Sequence, residues 1–148
     1  MRYFEDIEAG QSHDLGSHTF TEAGITAFAR EYDPQPFHVD PEAARESSFG
    51  ELIASGWHTA SVCMRLLVEN YLNDTASAGA RGVRELRWHA PVRPGDTISC
   101  RVEVLETEPA SNPHIGNVVN RLTGHVDGDL AVEWTADAMF ERREVRTE

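Results

Sequence analysis

An α+β domain, with a curled antiparallel sheet wrapped around one long helix, is the fold this sequence predicts. Three observations carry that expectation. The longest apolar element runs from about Ser55 to Leu72 and carries charge in its second half only at Arg65 and Glu69. Strand-like segments gather in the second half of the chain and end in a hairpin pattern around Asp127-Gly128, the strongest short-range turn signal present. A length of 148 residues supports one substantial core and not comfortably two, and no internal repeat divides it. One domain is therefore expected over residues 1–148, with its core at about 10–140 and a frayed surface tail at 141–148.

The elements follow in order. Residues 2–20 read as an extended opening segment with a turn near Gly16. Thr21 is an N-cap, and Ile25, Phe28, Ala29 and Tyr32 fall at i, i+3, i+4 and i+7 on one apolar helix face. That helix stops at Asp33-Pro34. Asp40 caps a short helix over 41–46, with Pro41 at its first position. In the long helix Ala60, Cys63, Met64, Leu67, Val68 and Tyr71 supply a wide apolar face, which places it at the centre. Residues 73–80 are small and polar and read as a loop. Strands are expected at 82–89, 98–105, 115–126 and 131–140, separated by the Pro94-Gly95 turn, the Ser111-Asn112-Pro113 loop and the Asp127-Gly128 turn.

Composition excludes several functions. A formal charge of −12 argues against nucleic acid, whose phosphates the average surface would repel. All 13 basic residues are arginine, so lysine Schiff-base chemistry is excluded and arginine is the only strong cation for a phosphate-bearing ligand. Cys63 and Cys100 stand far apart in apolar runs, as buried thiols of a reducing compartment do. No apolar leader opens the chain and no stretch reaches the length of a membrane span, so a soluble cytoplasmic protein is expected. His13, His18, His114 and His125 show no ligand spacing, and no metal is expected.

The chemistry concentrates in Tyr32–Asp40, where two carboxylates, one histidine and two prolines occupy nine residues. Pro34 and Pro36 restrict the backbone between Asp33 and His38, which holds those two side chains at a nearly constant separation. Asp33 falls at the C-terminal edge of its helix, where the dipole should push its pKa upward. Asp40 is explained as a cap. Farther along, Ser55-Gly56 opens the long helix with a close-approach residue, and the first free N–H groups point outward from there.

Asp33-x-Gln-Pro-x-His38, then Phe49-Gly-x-x-Ile-Ala-Ser-Gly56, then Gly82-Val, Arg87 and Pro91-Val-Arg-Pro-Gly-Asp96 resemble the MaoC-like dehydratases, which include the (R)-specific enoyl-CoA hydratases. The likeness covers residues 20–105 in the right order and spacing. It implies a hot-dog fold and a homodimer or larger assembly of dimers, with acyl-thioester sites near the subunit interface. It also implies catalytic roles for Asp33 and His38, an oxyanion-stabilising amide at Gly56 and a helix-borne serine at Ser61. Gln35 stands where the family usually has asparagine and Ser55 where it often has histidine, and both are expected to reshape the acyl pocket.

The implied reaction is reversible hydration of a trans-2-enoyl-CoA to a 3-hydroxyacyl-CoA. It needs a base to activate water at C3, an acid for C2 and donors aimed at the thioester oxygen. Coenzyme A enters only as part of the substrate, with no separate cofactor. Arg84, Arg87 and Arg93 are the candidates to meet its phosphates. His58 and His89 are possible pocket-lining residues. The rival readings are a hot-dog acyl-CoA thioesterase and a non-catalytic acyl-thioester-binding subunit.

Overall fold

The computed structural model describes residues 1–145, and residues 146–148 of the expected tail lie outside the described residues. After a 3-10 turn at Phe4–Asp6 come β1 (Ser12–Thr19), α1 (Glu22–Tyr32), α2 (Pro36–Val39), α3 (Pro41–Glu46) and α4 (Gly56–Asn70). Then follow β2 (Ser77–Trp88), β3 (Thr97–Pro109), β4 (Ile115–Val126) and β5 (Asp129–Glu141). The five strands form one antiparallel sheet in the order β1-β3-β4-β5-β2, curled around α4. This is the α+β hot-dog architecture.

Alternation builds the inner face. Ile98, Cys100, Val102 and Val104 of β3, with Val118 and Leu122 of β4, are buried every second residue against the central helix. The β4–β5 hairpin closes through Asp127 (φ 51°) and Gly128 (φ 83°), the paired left-handed residues of a type I′ turn. From α4, Cys63, Leu66 and Leu67 are buried, and Tyr71 just past its end joins them. Met64, expected on that face, is 43% exposed, because the apolar stripe sits rotated toward Leu66. Asn70 donates to the Leu15 carbonyl at 2.7 Å and pins the end of α4 to β1. The Cys63 and Cys100 thiols meet at 3.3 Å between α4 and β3, both buried and free.

Thr21 caps α1 by accepting from the Gly24 N–H at 3.0 Å, and Asp40 caps α3 by accepting from the Glu42 N–H at 3.0 Å. Three local expectations change. Pro36 starts a further short helix, because its fixed φ suits a first helical position, and His38 therefore sits on a helical turn. Residues 77–80, expected in a loop, pair with β5 in a bulged register. Residues Arg142 and Arg143, expected as frayed surface, tie back to the start of the chain. The Arg143 N–H donates to Glu5 at 2.9 Å and its guanidinium pairs with Asp6.

His58 is enclosed by aromatic rings, stacked on Phe28 at 4.7 Å and edge-on to Phe20 at 5.0 Å. Burial, with a smaller push from His18, lowers its pKa from 6.5 to about 4. The unfolded chain takes up a proton at this histidine that the folded chain refuses. Stability is therefore lost as pH falls from 6.5 to about 4. The expected result is a Tm that declines across that window, with a shallower decline in His58→Phe, read by thermal unfolding at a series of pH values.

Candidate active site

Three segments meet at the N-terminus of α4. The first is the α1–α2 junction. The Asp33 N–H closes the last turn of α1 on Ala29 at 2.8 Å, and the His38 N–H bonds the Gln35 carbonyl at 2.9 Å. The second is Ile53–Ser55, which is stitched in place on both sides. The Ile53 N–H bonds Phe37 O at 3.2 Å, and the Ala54 N–H bonds Val92 O at 2.8 Å. The third is the end of β2, where Trp88 lies against Gly56.

His38 is buried, and its Nδ1 lies 2.7 Å from the Ile53 carbonyl. A carbonyl only accepts, so Nδ1 carries the proton and Nε2 is the nitrogen left for chemistry. Nε2 faces Asp33 Oδ2 at 3.3 Å. Opposite the histidine, the fully buried Ser55 hydroxyl donates to Asp33 Oδ2 at 2.7 Å, and the Gln35 amide donates to Oδ1 at 2.7 Å. Both carboxylate oxygens are thus held, with one presented to the imidazole.

The electrostatics reverse one expectation. Partial burial pushes the Asp33 carboxyl upward, as its helix-terminal position suggests. The donors from Ser55 and Gln35 more than offset this and hold it below its ordinary value. Asp33 is an ionised carboxylate near neutral pH. Ser55→Ala should therefore move the acid limb of any Asp33-dependent rate to higher pH. It should also lower kcat/KM by about 10-fold, the typical worth of a hydrogen bond to a charged group. A pH–rate profile of the variant reads both effects.

Gly56 is the first residue of α4, so its amide has no partner in the helix. Its carbonyl accepts from Trp88 Nε1 at 2.8 Å. A Cβ at this position would meet Trp88 Cε2 at 2.5 Å, which is why glycine stands here. Trp57 crosses Trp88 edge-on at 5.2 Å. A cavity of about 390 Å³ lies over these groups, walled by Asp33, His38, Gly56, Phe37, Phe49 and the two indoles. It presents a carboxylate, an imidazole nitrogen and the Gly56 N–H around one space, while the Trp57 N–H is capped by Ser55 Oγ at 3.3 Å. That set can activate a water and stabilise a developing oxyanion.

Asp33, His38 and Gly56 are brought together. Ser61 points outward, donating to the Trp57 carbonyl at 2.7 Å and lining a separate concavity with Phe28 and Tyr32. Arg84 pairs with Asp137 at 2.7 Å and Arg93 pairs with Glu51, both outside the cavity wall. Arg87 is exposed and makes no ion pair among the described residues. His89 lines the cavity and is held by Glu133 at 2.9 Å, whereas His58 sits in its aromatic enclosure away from it. Ser55 and Trp88 are the residues that sequence reasoning missed as site components. A serine before a helix signals a cap, not an aspartate 22 residues earlier, and nothing local links Trp88 to Gly56.

Comparison with known proteins agrees with this geometry. The MaoC like domain family matches residues 6–126. The (R)-specific enoyl-CoA hydratase of Rhodospirillum rubrum is 33% identical over 145 residues, covering 97% of this chain and 94% of that protein. The crystal structure of a MaoC-like dehydratase from Rhodospirillum rubrum superposes with TM-score 0.88 at 41% identity, over 97% of this chain and 99% of that one. The (R)-hydratase from A. caviae, involved in PHA biosynthesis, superposes with TM-score 0.71 at 30% identity, over 92% and 98%. With its sheet, central helix and family match all in register, this chain belongs to the MaoC-like domain family.

Proposed function

We propose that this protein is a hydro-lyase that reversibly adds water across the double bond of a trans-2-enoyl-CoA, or a related acyl thioester. The carrying observation is the Asp33–His38 pair, set at 3.3 Å beside the Gly56 N–H that opens α4. With Nδ1–H committed to Ile53, Nε2 and Asp33 Oδ2 are two acceptors facing the same space. A water placed there donates one hydrogen to each and turns its lone pair toward C3 of the substrate. As it attacks C3, the pair takes one of its protons, and the carboxylate of Asp33 stabilises the charge on His38. The enolate oxygen that develops at the thioester lies against the Gly56 amide, where the helix dipole adds to the hydrogen bond. Protonation of C2 from the same pair returns the site to its starting state, so atoms and charge balance.

Around that centre, Ser55 and Gln35 position Asp33, and Ser61 steadies Trp57 through its carbonyl. Arg87, exposed beside Trp88 on β2, is the cation best placed for coenzyme A phosphate, with Arg84 and Arg93 available if they exchange their carboxylate partners. The β2 edge (Ser77–Trp88) is open, with Val83 53% exposed, and a second copy pairing there would make a homodimer. No helix among the described residues is long and apolar enough to cross a membrane. The free thiols of Cys63 and Cys100 suit the reducing cytoplasm.

The test is incubation with crotonyl-CoA in the presence of a thiol reagent. Loss of the conjugated-thioester absorbance without thiol release is the expected result. Thiol release marks a thioesterase, a reading that the start of α4 disfavours, since Gly56–Ser61 contains no carboxylate. Binding without either change marks a non-catalytic subunit.

A further inference from the structure

Strand β4 sends Val118, Asn120 and Leu122 to the same inner face, beneath α4. Only the middle one is polar. Asn120 is 5% exposed, and its Oδ1 is buried with no hydrogen-bond partner among the described residues. Its amide lines a cavity of about 170 Å³ with Met64, Leu67, Val83, Trp134 and Ala138, all apolar. A buried amide without a partner destabilises a core, and an aliphatic residue would fit this row without that cost. The cavity therefore holds a buried unsatisfied carbonyl oxygen at a defined place in a mostly apolar wall.

The cavity and the site described above are separate concavities that lie along the same helix and strand. Gly56, Ala60, Met64 and Leu67 lie on one stripe of α4. Trp88 of β2 packs on Gly56, while Val83 and Ser77 of β2 line the cavity with Met64 and Leu67. Helix and strand thus run side by side in opposite directions, with only the small Ala60 between the two sites on the helix stripe. Met64 is about 12 Å along the helix from Gly56. An extended chain advances about 1.2 Å per bond, so a tail of about ten bonds from a thioester at Gly56 reaches the level of Met64, which lines the same cavity as Asn120.

We propose that Asn120 is a specificity-determining residue that hydrogen-bonds a polar group at the far end of a medium-chain acyl thioester. The enzyme then favours a tail ending in a hydroxyl over the plain alkyl tail of equal length. This rests on the hydratase reading. On the outer wall Met64 is 43% and Val83 53% exposed, so a second copy seated on β2 would roof the cavity.

The experiment measures kcat/KM for trans-2-decenoyl-CoA and its ω-hydroxylated form, with wild type and Asn120→Leu, beside crotonyl-CoA with wild type. Wild type is expected to prefer the hydroxylated substrate by about 10-fold, the worth of one buried hydrogen bond. In Asn120→Leu the ratio falls to one or below. A wild-type ratio of one or less overturns the proposal by itself, so the outcome does not depend on the variant folding. Equal ratios in both proteins, with elution as a dimer, assign the cavity to subunit packing and overturn it as well. Failure of wild type to hydrate crotonyl-CoA refutes the hydratase reading separately. In that case calorimetric Kd values for decanoyl-CoA and ω-hydroxydecanoyl-CoA decide Asn120 by the same ratio.

Discussion

Replacing Asp33 with Asn, or His38 with Gln, is expected to lower kcat for enoyl-CoA hydration by at least about 100-fold each, with KM little changed. The reason is the division of labour at the pair. Asp33 is ionised because Ser55 and Gln35 each donate to it at 2.7 Å, which more than offsets the effect of burial. His38 offers Nε2 because Ile53 holds Nδ1. Asparagine keeps the shape and the Ser55 contact but loses the negative charge that stabilises a protonated imidazole. Glutamine loses the group that carries the proton. Neither substitution fills the cavity, so a loss confined to KM would contradict the assigned roles. The double variant should be little worse than either single one, since the proposed roles place both side chains on the same water.

Gly56→Ala is the second large effect, expected to cost about 100-fold in kcat/KM. The new Cβ would stand 2.5 Å from the Trp88 ring, closer than atoms pack, so the indole or the start of α4 must move. Both form the cavity wall, and the moved element carries the amide assigned to the thioester oxygen. Overpacking of this kind also destabilises a fold by about 1–3 kcal/mol. Denaturant unfolding of the folded fraction separates the two losses. Combining Gly56→Ala with Trp88→Ala removes the clash and should recover part of the activity. No recovery would place the defect in the glycine backbone itself.

Much of this site is readable in the sequence because its parts are local. The proline-stiffened Asp33–His38 segment, the Thr21 and Asp40 caps and the Asp127-Gly128 turn all follow from side chains acting within a few residues. What is not readable is long-range. The Asp33 pKa depends on a hydroxyl 22 residues away, which outweighs the helix-end position that the sequence suggests. The face that α4 buries depends on how the sheet curls, so Met64 is exposed while Leu66 is buried. Asn120 looks like one polar residue in an alternating strand until burial shows it facing the core. Ser61 enters through the family resemblance alone, and its hydroxyl donates to the Trp57 carbonyl, a contact within one helical turn.

The most direct test of the central claim is mass spectrometry of the product formed from crotonyl-CoA in heavy-oxygen water. Under the proposed roles of Asp33 and His38 the label enters the C3 hydroxyl of an intact thioester, and with Asp33→Asn it does so at least about 100-fold more slowly. Label in a free carboxylic acid, or unlabelled crotonyl-CoA recovered unchanged, would contradict it.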